Sequence, residues 1–267
     1  MRGVTAVPES ACSPELVWLA EEVLTGGVRE RRFDVDRGGR RVPGLLWTPP
    51  AGGSPLPLVL LGHGGSGSKR QGYVVGMARR LALRHGIASA AIDGPVHGDR
   101  RAGRAASSPL VMAEFAQLWA NDGDAMTDEM VADWSVTLDA LQQLPDVGAG
   151  PVGWWGVSMG TITGLPVVAA DERIAAAVLG LMGLTGPTKD RIARDAPAVR
   201  CPVLFLVQWD DPMFPHDVAI ALWEAFGSRD KRLVAHPGGH GDLPPDAFEI
   251  SASFLARHLT GEGERPG

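Results

Sequence analysis

The sequence has little cysteine, no long apolar stretch near its start and no excess of positive charge. Its two cysteines, Cys12 and Cys201, are far apart, so they do not form the spacing pattern of a disulfide framework. Prolines and glutamates interrupt residues 1–20, which leaves no apolar run long enough for a signal peptide or a membrane span. We therefore expect a cytoplasmic protein with no membrane partner.

The charge balance argues against acidic partners. The formal net charge is -6 at pH 7, so the chain offers no basic field that would attract phosphates. No nucleic acid partner is expected, and a neutral small-molecule substrate fits better. The composition, 45% hydrophobic and 21% charged, is that of ordinary globular proteins, and 267 residues often form one domain. We predict a single domain over residues 1–267.

Apolar runs alternate with helical stretches along most of the chain. Residues 31–36 and 41–48 alternate polar and apolar positions around Gly38 and Gly39, which predicts an antiparallel hairpin. Later apolar runs show no alternation, as expected for strands covered on both faces. The sequence predicts an α/β fold with a mostly parallel central sheet, an N-terminal antiparallel hairpin and helices on both faces. The other predicted strands are 56–61, 87–92, 152–157, 174–181, 203–208 and 232–235, and the predicted helices are 69–85, 127–144, 158–170, 216–226 and 246–259.

Residues 100–126 do not fit this alternation and are interpreted as an insertion. They follow a predicted strand, and ligands bind at the carboxyl edge of open α/β sheets, which favours a lid or a pocket wall. A surface helix that buries its apolar side chains fits the same residues equally well. At the end of the chain, residues 261–267 are expected to form a flexible, disordered tail.

Gly156-Val157-Ser158-Met159-Gly160 has the form Gly-x-Ser-x-Gly. It lies between a predicted strand and a predicted helix, which is the context of a nucleophile elbow. Small residues on both sides allow a sharp turn that leaves the Ser158 hydroxyl exposed. The pentapeptide alone is weak evidence, because a serine at a strand-to-helix turn can also serve only as a helix N-cap.

A serine nucleophile needs a base, and the base needs a group that orients it. In α/β hydrolases the acid and the histidine follow the serine in that order, each on a loop after a later strand. The loops after the last two predicted strands contain Asp210 and Asp211, then His236 and His240. Both requirements are met in the expected order.

Across residues 31–259 the chain resembles the α/β-hydrolase superfamily, and its two late loops resemble those of the dienelactone hydrolase and prolyl-oligopeptidase-like branches. Asp211-Pro212-Met213-Phe214-Pro215 is similar to the family's Asp-x-x-apolar-Pro loop. Gly238-Gly239-His240-Gly241 is similar to the loop that presents the catalytic histidine. The resemblance implies catalysis by Ser158, Asp211 and His240, rather than by the neighbouring aspartate and histidine.

Gly62-His63-Gly64-Gly65-Ser66-Gly67 resembles the family's oxyanion loop. Glycines there let backbone N–H groups approach a developing oxyanion, and each such donor is worth about 3 kcal/mol. We expect the amides of Met159 and Gly65 to be the donors, with Gly64 as an alternative to Gly65. A phosphate-binding loop is disfavoured, because no Gly-Lys-Ser/Thr ending is present and Lys69 lies past the turn.

The segment from Asp93 to Asp99 resembles another family loop, in which a histidine shapes the site, except that Val96 replaces a glycine. A metal site formed by Asp93, His97 and Asp99 is disfavoured, because no paired histidines or cysteines accompany them. Near the elbow, Trp154 and Trp155 are expected to pack on opposite faces of the sheet.

The resemblance implies a serine hydrolase that cleaves a carboxylic ester, thioester or lactone through an acyl-enzyme, with no cofactor and no metal. Apolar side chains in the insertion and beside the acid indicate an apolar acyl or alcohol group, and the predicted pocket residues are Phe115, Trp119, Met213 and Phe214. An acyltransferase, lyase or cyclase on the same scaffold is the alternative. A peptidase is disfavoured because no propeller domain precedes the hydrolase domain, and a non-catalytic receptor because the catalytic set is complete.

Overall fold

The computed structural model describes residues 15–20, 23–50, 55–101 and 107–261, so all of the predicted tail except Gly261 lies outside the described residues. These residues form one sheet with helices on both faces, which confirms the predicted α/β architecture. The strands are β1 (Leu16–Trp18), β2 (Val23–Thr25), β3 (Val28–Arg37), β4 (Arg40–Thr48), β5 (Leu58–Gly62), β6 (Ala88–Ile92), β7 (Val152–Gly156), β8 (Ile174–Gly180), β9 (Val203–Gln208) and β10 (Lys231–His236). The helices are α1 (Gly72–His85), α2 (Ser108–Leu141), α3 (Met159–Ile162), α4 (Gly164–Ala170), α5 (Lys189–Asp195), α6 (His216–Ala225) and α7 (Pro245–Thr260).

The sheet has an antiparallel part followed by a parallel part. Its order is β1-β3-β4-β6-β5-β7-β8-β9-β10, with β2 paired to β3. Strands β3 and β4 form the predicted hairpin, and Gly38 and Gly39 at its turn have φ of 61° and 84°, as a two-residue turn of this kind requires. From β6 to β10 every neighbouring pair is parallel. The carboxyl ends of these strands therefore meet at one edge, where the loops of interest lie.

The core has two layers, one on each face of the sheet. Trp154 and Trp155 are both fully buried on β7 and point to opposite layers, as predicted. Trp154 packs edge-on against Trp134 of α2, with ring centroids 5.1 Å apart. Trp155 packs in the layer of α1 and α7, beside Tyr73 and Phe248. Helices thus cover both faces of the strand that leads into the Gly-x-Ser-x-Gly turn.

The sequence predicted an insertion that ends at residue 126 and a separate helix from residue 127, but helix α2 spans this boundary. It runs for 34 residues with one non-helical position, Asp122 (φ −135°, ψ 31°), so most of the predicted insertion and the predicted helix from residue 127 form one kinked helix. Gly123 is required there, because a Cβ atom would lie 2.6 Å from Thr188 Cγ2. Both halves bury apolar side chains in one core layer, which holds the helix together across the polar residues.

Among the described residues, no helix combines the length and the apolar character needed to cross a bilayer.

Candidate active site

Ser158 lies in a sharp turn between β7 and α3. Its φ of 57° and ψ of −121° are unusual for a residue with a side chain, and its N–H donates to Gly180 O at 2.9 Å. The flanking glycines permit the close approach that this turn needs. A Cβ atom on Gly156 would lie 2.7 Å from Gly160 O, and one on Gly160 would lie 2.6 Å from Gly62 O. The local sequence therefore allows the strained turn and holds the serine at the strand's carboxyl end.

Thr161 stabilises the turn from within the core. Its hydroxyl oxygen accepts the N–H of Gly180 at 2.9 Å and lies 2.7 Å from Gly180 O and 3.0 Å from Gly156 O. One side chain thus joins the end of β7 to the end of β8. These hydrogen bonds support the sharp turn at Ser158.

His240 bridges Ser158 and Asp211. Its Nε2 lies 2.8 Å from Ser158 Oγ, and its Nδ1 lies 2.6 Å from Asp211 Oδ2. A carboxylate only accepts hydrogen bonds, so Nδ1 carries the proton and Nε2 is free to accept one from the serine hydroxyl. The three residues come from loops after β7, β9 and β10, whose carboxyl ends share one edge of the sheet.

Asp211 is buried and hydrogen-bonded through both carboxylate oxygens, whereas Asp210 is exposed and bonds to a backbone amide. The Asp211 side chain is 1% exposed, and its Oδ1 accepts the N–H groups of Met213 at 2.8 Å and Phe214 at 3.2 Å. These two bonds leave Oδ2 to face His240. Asp210 is exposed, and its Oδ2 accepts the N–H of Gly238 at 3.2 Å, a bond that ties the two loops together.

The glycine-rich loop after β5 presents its amides to the same region. Its turn is closed by a bond from Gly67 N–H to Gly64 O at 3.2 Å. The Gly64 N–H donates to the hydroxyl oxygen of Tyr73 at 2.5 Å. Within the described part of the chain, no protein group accepts a hydrogen bond from the N–H of Gly65 or of Met159. Of the two predicted loop donors, the Gly64 N–H is therefore already bonded to Tyr73, whereas the Gly65 N–H remains available to a substrate.

Two buried histidines support this loop. His63 Nδ1 donates to Gly64 O at 2.9 Å, and its Nε2 accepts the N–H of Gly94 at 2.8 Å. Burial, with a smaller contribution from neighbouring His97, lowers the pKa of His63 to about 4, so its ring is neutral near pH 7 and can accept that bond. His97 Nε2 lies 2.8 Å from Gly65 O, and burial lowers the pKa of His97 as well.

The charged groups beside the loop are engaged with one another. Lys69 is buried, and its ammonium binds the carboxylates of Asp93 and of Asp99, the latter at 2.9 Å. Its side chain is thus unavailable to a phosphate at the glycine-rich loop. The ring nitrogens of His97 face the backbone carbonyls of Pro95 and Gly65, and not the two aspartates. The four side chains form a structural cluster beneath the loop.

A cavity of about 340 Å³ opens beside Ser158 and His240. The predicted pocket side chains do not line it. Phe115 is buried and stacked on Trp119, Met213 is exposed, and Phe214 packs against the His240 ring. The lining instead has Met112 from the same helix, together with the apolar side chains of Val157, Leu181, Leu243 and Phe248 and the aromatic side chain of Tyr73.

Comparison with known proteins agrees with this geometry. The model of the dienelactone hydrolase family matches residues 71–245. No match to a curated protein was found. Among solved structures, the chain is similar to a cold-adapted esterase from an Arctic intertidal metagenomic library, with 38% identity and a TM-score of 0.80 over 91% of this chain and 99% of that one. It is similar in fold to acetyl xylan esterase 1 from Thermoanaerobacterium sp., with 15% identity and a TM-score of 0.70 over 92% of this chain and 89% of that one. The chain belongs to the dienelactone hydrolase family of the α/β-hydrolase superfamily.

Proposed function

We propose that the protein is a serine esterase in which Ser158 attacks the carbonyl carbon of a carboxylic ester, thioester or lactone. The observation that carries the proposal is the continuous hydrogen-bonded chain from Ser158 through His240 to Asp211, at 2.8 Å and 2.6 Å. Ester cleavage also agrees with the family and with the 38% identical structure, which is described as an esterase.

The proposed reaction has two acyl-transfer steps. His240 Nε2 takes the proton of the Ser158 hydroxyl as the serine oxygen bonds to the carbonyl carbon. The bond to the leaving group breaks, and the imidazolium returns the proton to the departing oxygen or sulfur. Water then attacks the acyl-enzyme with the same histidine as base, which releases the carboxylic acid and restores the serine. Asp211 orients the ring and stabilises its cation.

The amides of Gly65 and Met159 are the proposed oxyanion donors. Both come from turns whose glycines allow the backbone to approach a substrate closely. Buried His97 contacts the carbonyl oxygen of Gly65, and Met159 directly follows Ser158 at the start of α3. An amide already aimed at the oxygen needs no reorientation when negative charge develops, which is why such donors lower the barrier.

The cavity favours a small, uncharged and partly apolar substrate. Its volume of about 340 Å³ is near the lower end of the range for ligand pockets. Within the described lining, the side chains are apolar, hydroxyl-bearing or the histidine itself, so no fixed charge selects an ionic substrate.

We further propose a cytoplasmic location, supported by a free Cys201 and a sequence without a disulfide framework.

Hydrolysis of p-nitrophenyl butyrate tests the proposal. The wild-type protein should release p-nitrophenol, and Ser158→Ala should lose at least about 10³-fold in kcat, because only the nucleophile is removed. Ser251→Ala is the matched control, since it removes a buried serine hydroxyl that donates to Ala247 O in α7, outside the cavity. If Ser158→Ala keeps wild-type turnover in a clean preparation, the proposed nucleophile is wrong.

A further inference from the structure

Tyr73 lines the cavity that contains Ser158, and its hydroxyl group contacts the glycine-rich loop, which lines the same cavity. This hydroxyl oxygen accepts the N–H of Gly64 at 2.5 Å. A phenol has one proton to donate as well as lone pairs to accept with, so this contact leaves the O–H proton uncommitted. No group in the described part of the chain accepts that proton. A residue that lines the cavity therefore has a hydrogen-bond donor that the described part of the chain does not use.

The Tyr73 ring is fixed in place by aromatic packing. Its centroid lies 6.0 Å from that of Trp155, which is fully buried on β7, the strand that leads into Ser158. Trp155 in turn packs against Phe248, another cavity residue, at 5.8 Å. The hydroxyl is thus oriented by the same strand that carries the nucleophile. Burial raises the pKa of Tyr73, so the phenol keeps its proton near neutral pH.

The contact between Tyr73 and Gly64 also changes what the glycine-rich loop can donate. Because the Gly64 amide is engaged by the phenol oxygen, it is not available to a substrate. In a chain of hydrogen bonds, accepting one bond makes a hydroxyl a stronger donor of the next. The bond from the Gly64 N–H therefore makes the Tyr73 O–H a stronger hydrogen-bond donor.

We infer that the Tyr73 hydroxyl is a third oxyanion donor, which binds the carbonyl oxygen of the substrate beside the amides of Gly65 and Met159. The inference rests on the proposed esterase function. It makes Tyr73 a catalytic residue, since its O–H group touches the oxygen on which negative charge develops. Such a bond is stronger in the transition state than in the bound ester, so its loss should lower kcat and leave KM nearly unchanged.

Tyr73→Phe removes this one oxygen atom and keeps the packed ring. Deleting a single oxyanion donor costs about 10²- to 10³-fold in kcat, and the freed Gly64 amide can replace part of the lost bond. We therefore expect kcat for p-nitrophenyl butyrate to fall by at least about 10-fold, with KM within about twofold of the wild type. Affinity for butylboronic acid, which forms a tetrahedral anionic adduct on the serine, should fall by a similar factor. Ser251→Ala, the matched loss of a buried hydroxyl, should leave both quantities unchanged.

A second measurement requires no substitution of Tyr73. Tyr73 is the single tyrosine of the sequence, so growth with 3-fluorotyrosine labels this position alone. Its fluorine resonance should shift when butylboronic acid binds to the otherwise wild-type protein, and should stay in place in Ser158→Ala.

Unchanged kcat/KM in Tyr73→Phe, or a fluorine resonance that ignores the boronate, would overturn the role of Tyr73 while the esterase proposal stands. A lowered melting temperature with unaltered kcat would overturn it too, because it would show a purely structural contact. Absence of wild-type ester turnover would overturn the proposed function and this inference together.

Discussion

Asp211 Oδ2 lies 2.6 Å from His240 Nδ1, while Asp210, its neighbour in sequence, is exposed and accepts a bond from Gly238 N–H. Pro212 restricts Asp211 to extended backbone conformations, and two backbone N–H groups hold its other carboxylate oxygen. Adjacent carboxylates thus have different tasks, one facing the histidine and one joining two loops.

Replacing each aspartate by asparagine separates these tasks. Asp211→Asn keeps the shape but favours the wrong histidine tautomer, so we expect kcat to fall by about 10²-fold or more. Asp210→Asn, the matched control on the same loop, should lose less than about 10-fold. Measuring kcat for both variants on one activated ester decides the assignment. If Asp210→Asn is the impaired variant, Asp211 is not the orienting acid.

Met112 and Phe115 lie on the same helix but contact different parts of the molecule. Met112 lines the cavity, so Met112→Ala should raise kcat/KM for longer acyl esters relative to acetate, by about 10-fold for one or two added methylenes. Phe115 is buried in the core, so Phe115→Ala should lower the free energy of unfolding by about 3–5 kcal/mol with little change in acyl preference. An acyl-length series and urea unfolding of both variants give the comparison. The reverse outcome would restore Phe115 as a pocket residue.

Thr161 should stabilise the turn at Ser158 through its hydroxyl. Thr161→Val keeps the shape but leaves the N–H of Gly180 without its acceptor, which should cost about 1–3 kcal/mol in the free energy of unfolding. Thr161→Ser is the control, because it keeps the hydroxyl and loses only a methyl group. Chemical denaturation measures both. A valine variant as stable as the serine variant would show that these hydrogen bonds contribute little.

His63 should make the protein less stable in mild acid. Burial lowers its pKa from 6.5 to about 4, so between these two pH values the unfolded chain binds a proton that the folded protein excludes. The free energy of unfolding should therefore fall as pH falls through this window, by an amount on the order of 3 kcal/mol when the full window is crossed. Urea unfolding at pH 7 and pH 4.5 measures the drop, which should be smaller in His63→Asn. An equal drop in both proteins would assign the acid sensitivity to other groups.

The positions of the central strands could be predicted from the sequence, because strands buried on both faces require unbroken apolar runs, such as those of β5, β7 and β9. The parallel strands bring their following loops to one edge, which predicts that Ser158 lies near two aspartates and two histidines. The choice of Asp211 and His240 among them depended on the resemblance of their loops to those of α/β hydrolases. The distances that join Ser158, His240 and Asp211 agree with that choice. Their catalytic roles stay predictions until activity is measured.

Other features depend on tertiary contacts that no local pattern shows. Residues 121–124 have the composition of a loop, yet packing of α2 on both sides of Asp122 keeps the segment helical. The side of α2 that faces the cavity is set by how the helix lies on the glycine-rich loop, so Met112 could not be separated from Phe115 by spacing alone. Tyr73 lies in the first turn of α1, and only its contact with Gly64 reveals its place in the cavity.

The most direct test of the account is covalent labelling of the nucleophile. A fluorophosphonate should react once with the native protein, and peptide mass spectrometry should place the added mass on Ser158. Labelling should be lost in Ser158→Ala and should persist in Ser251→Ala, whose hydroxyl is bonded within α7. An unlabelled native protein, or a label on another residue that survives in Ser158→Ala, would contradict the account.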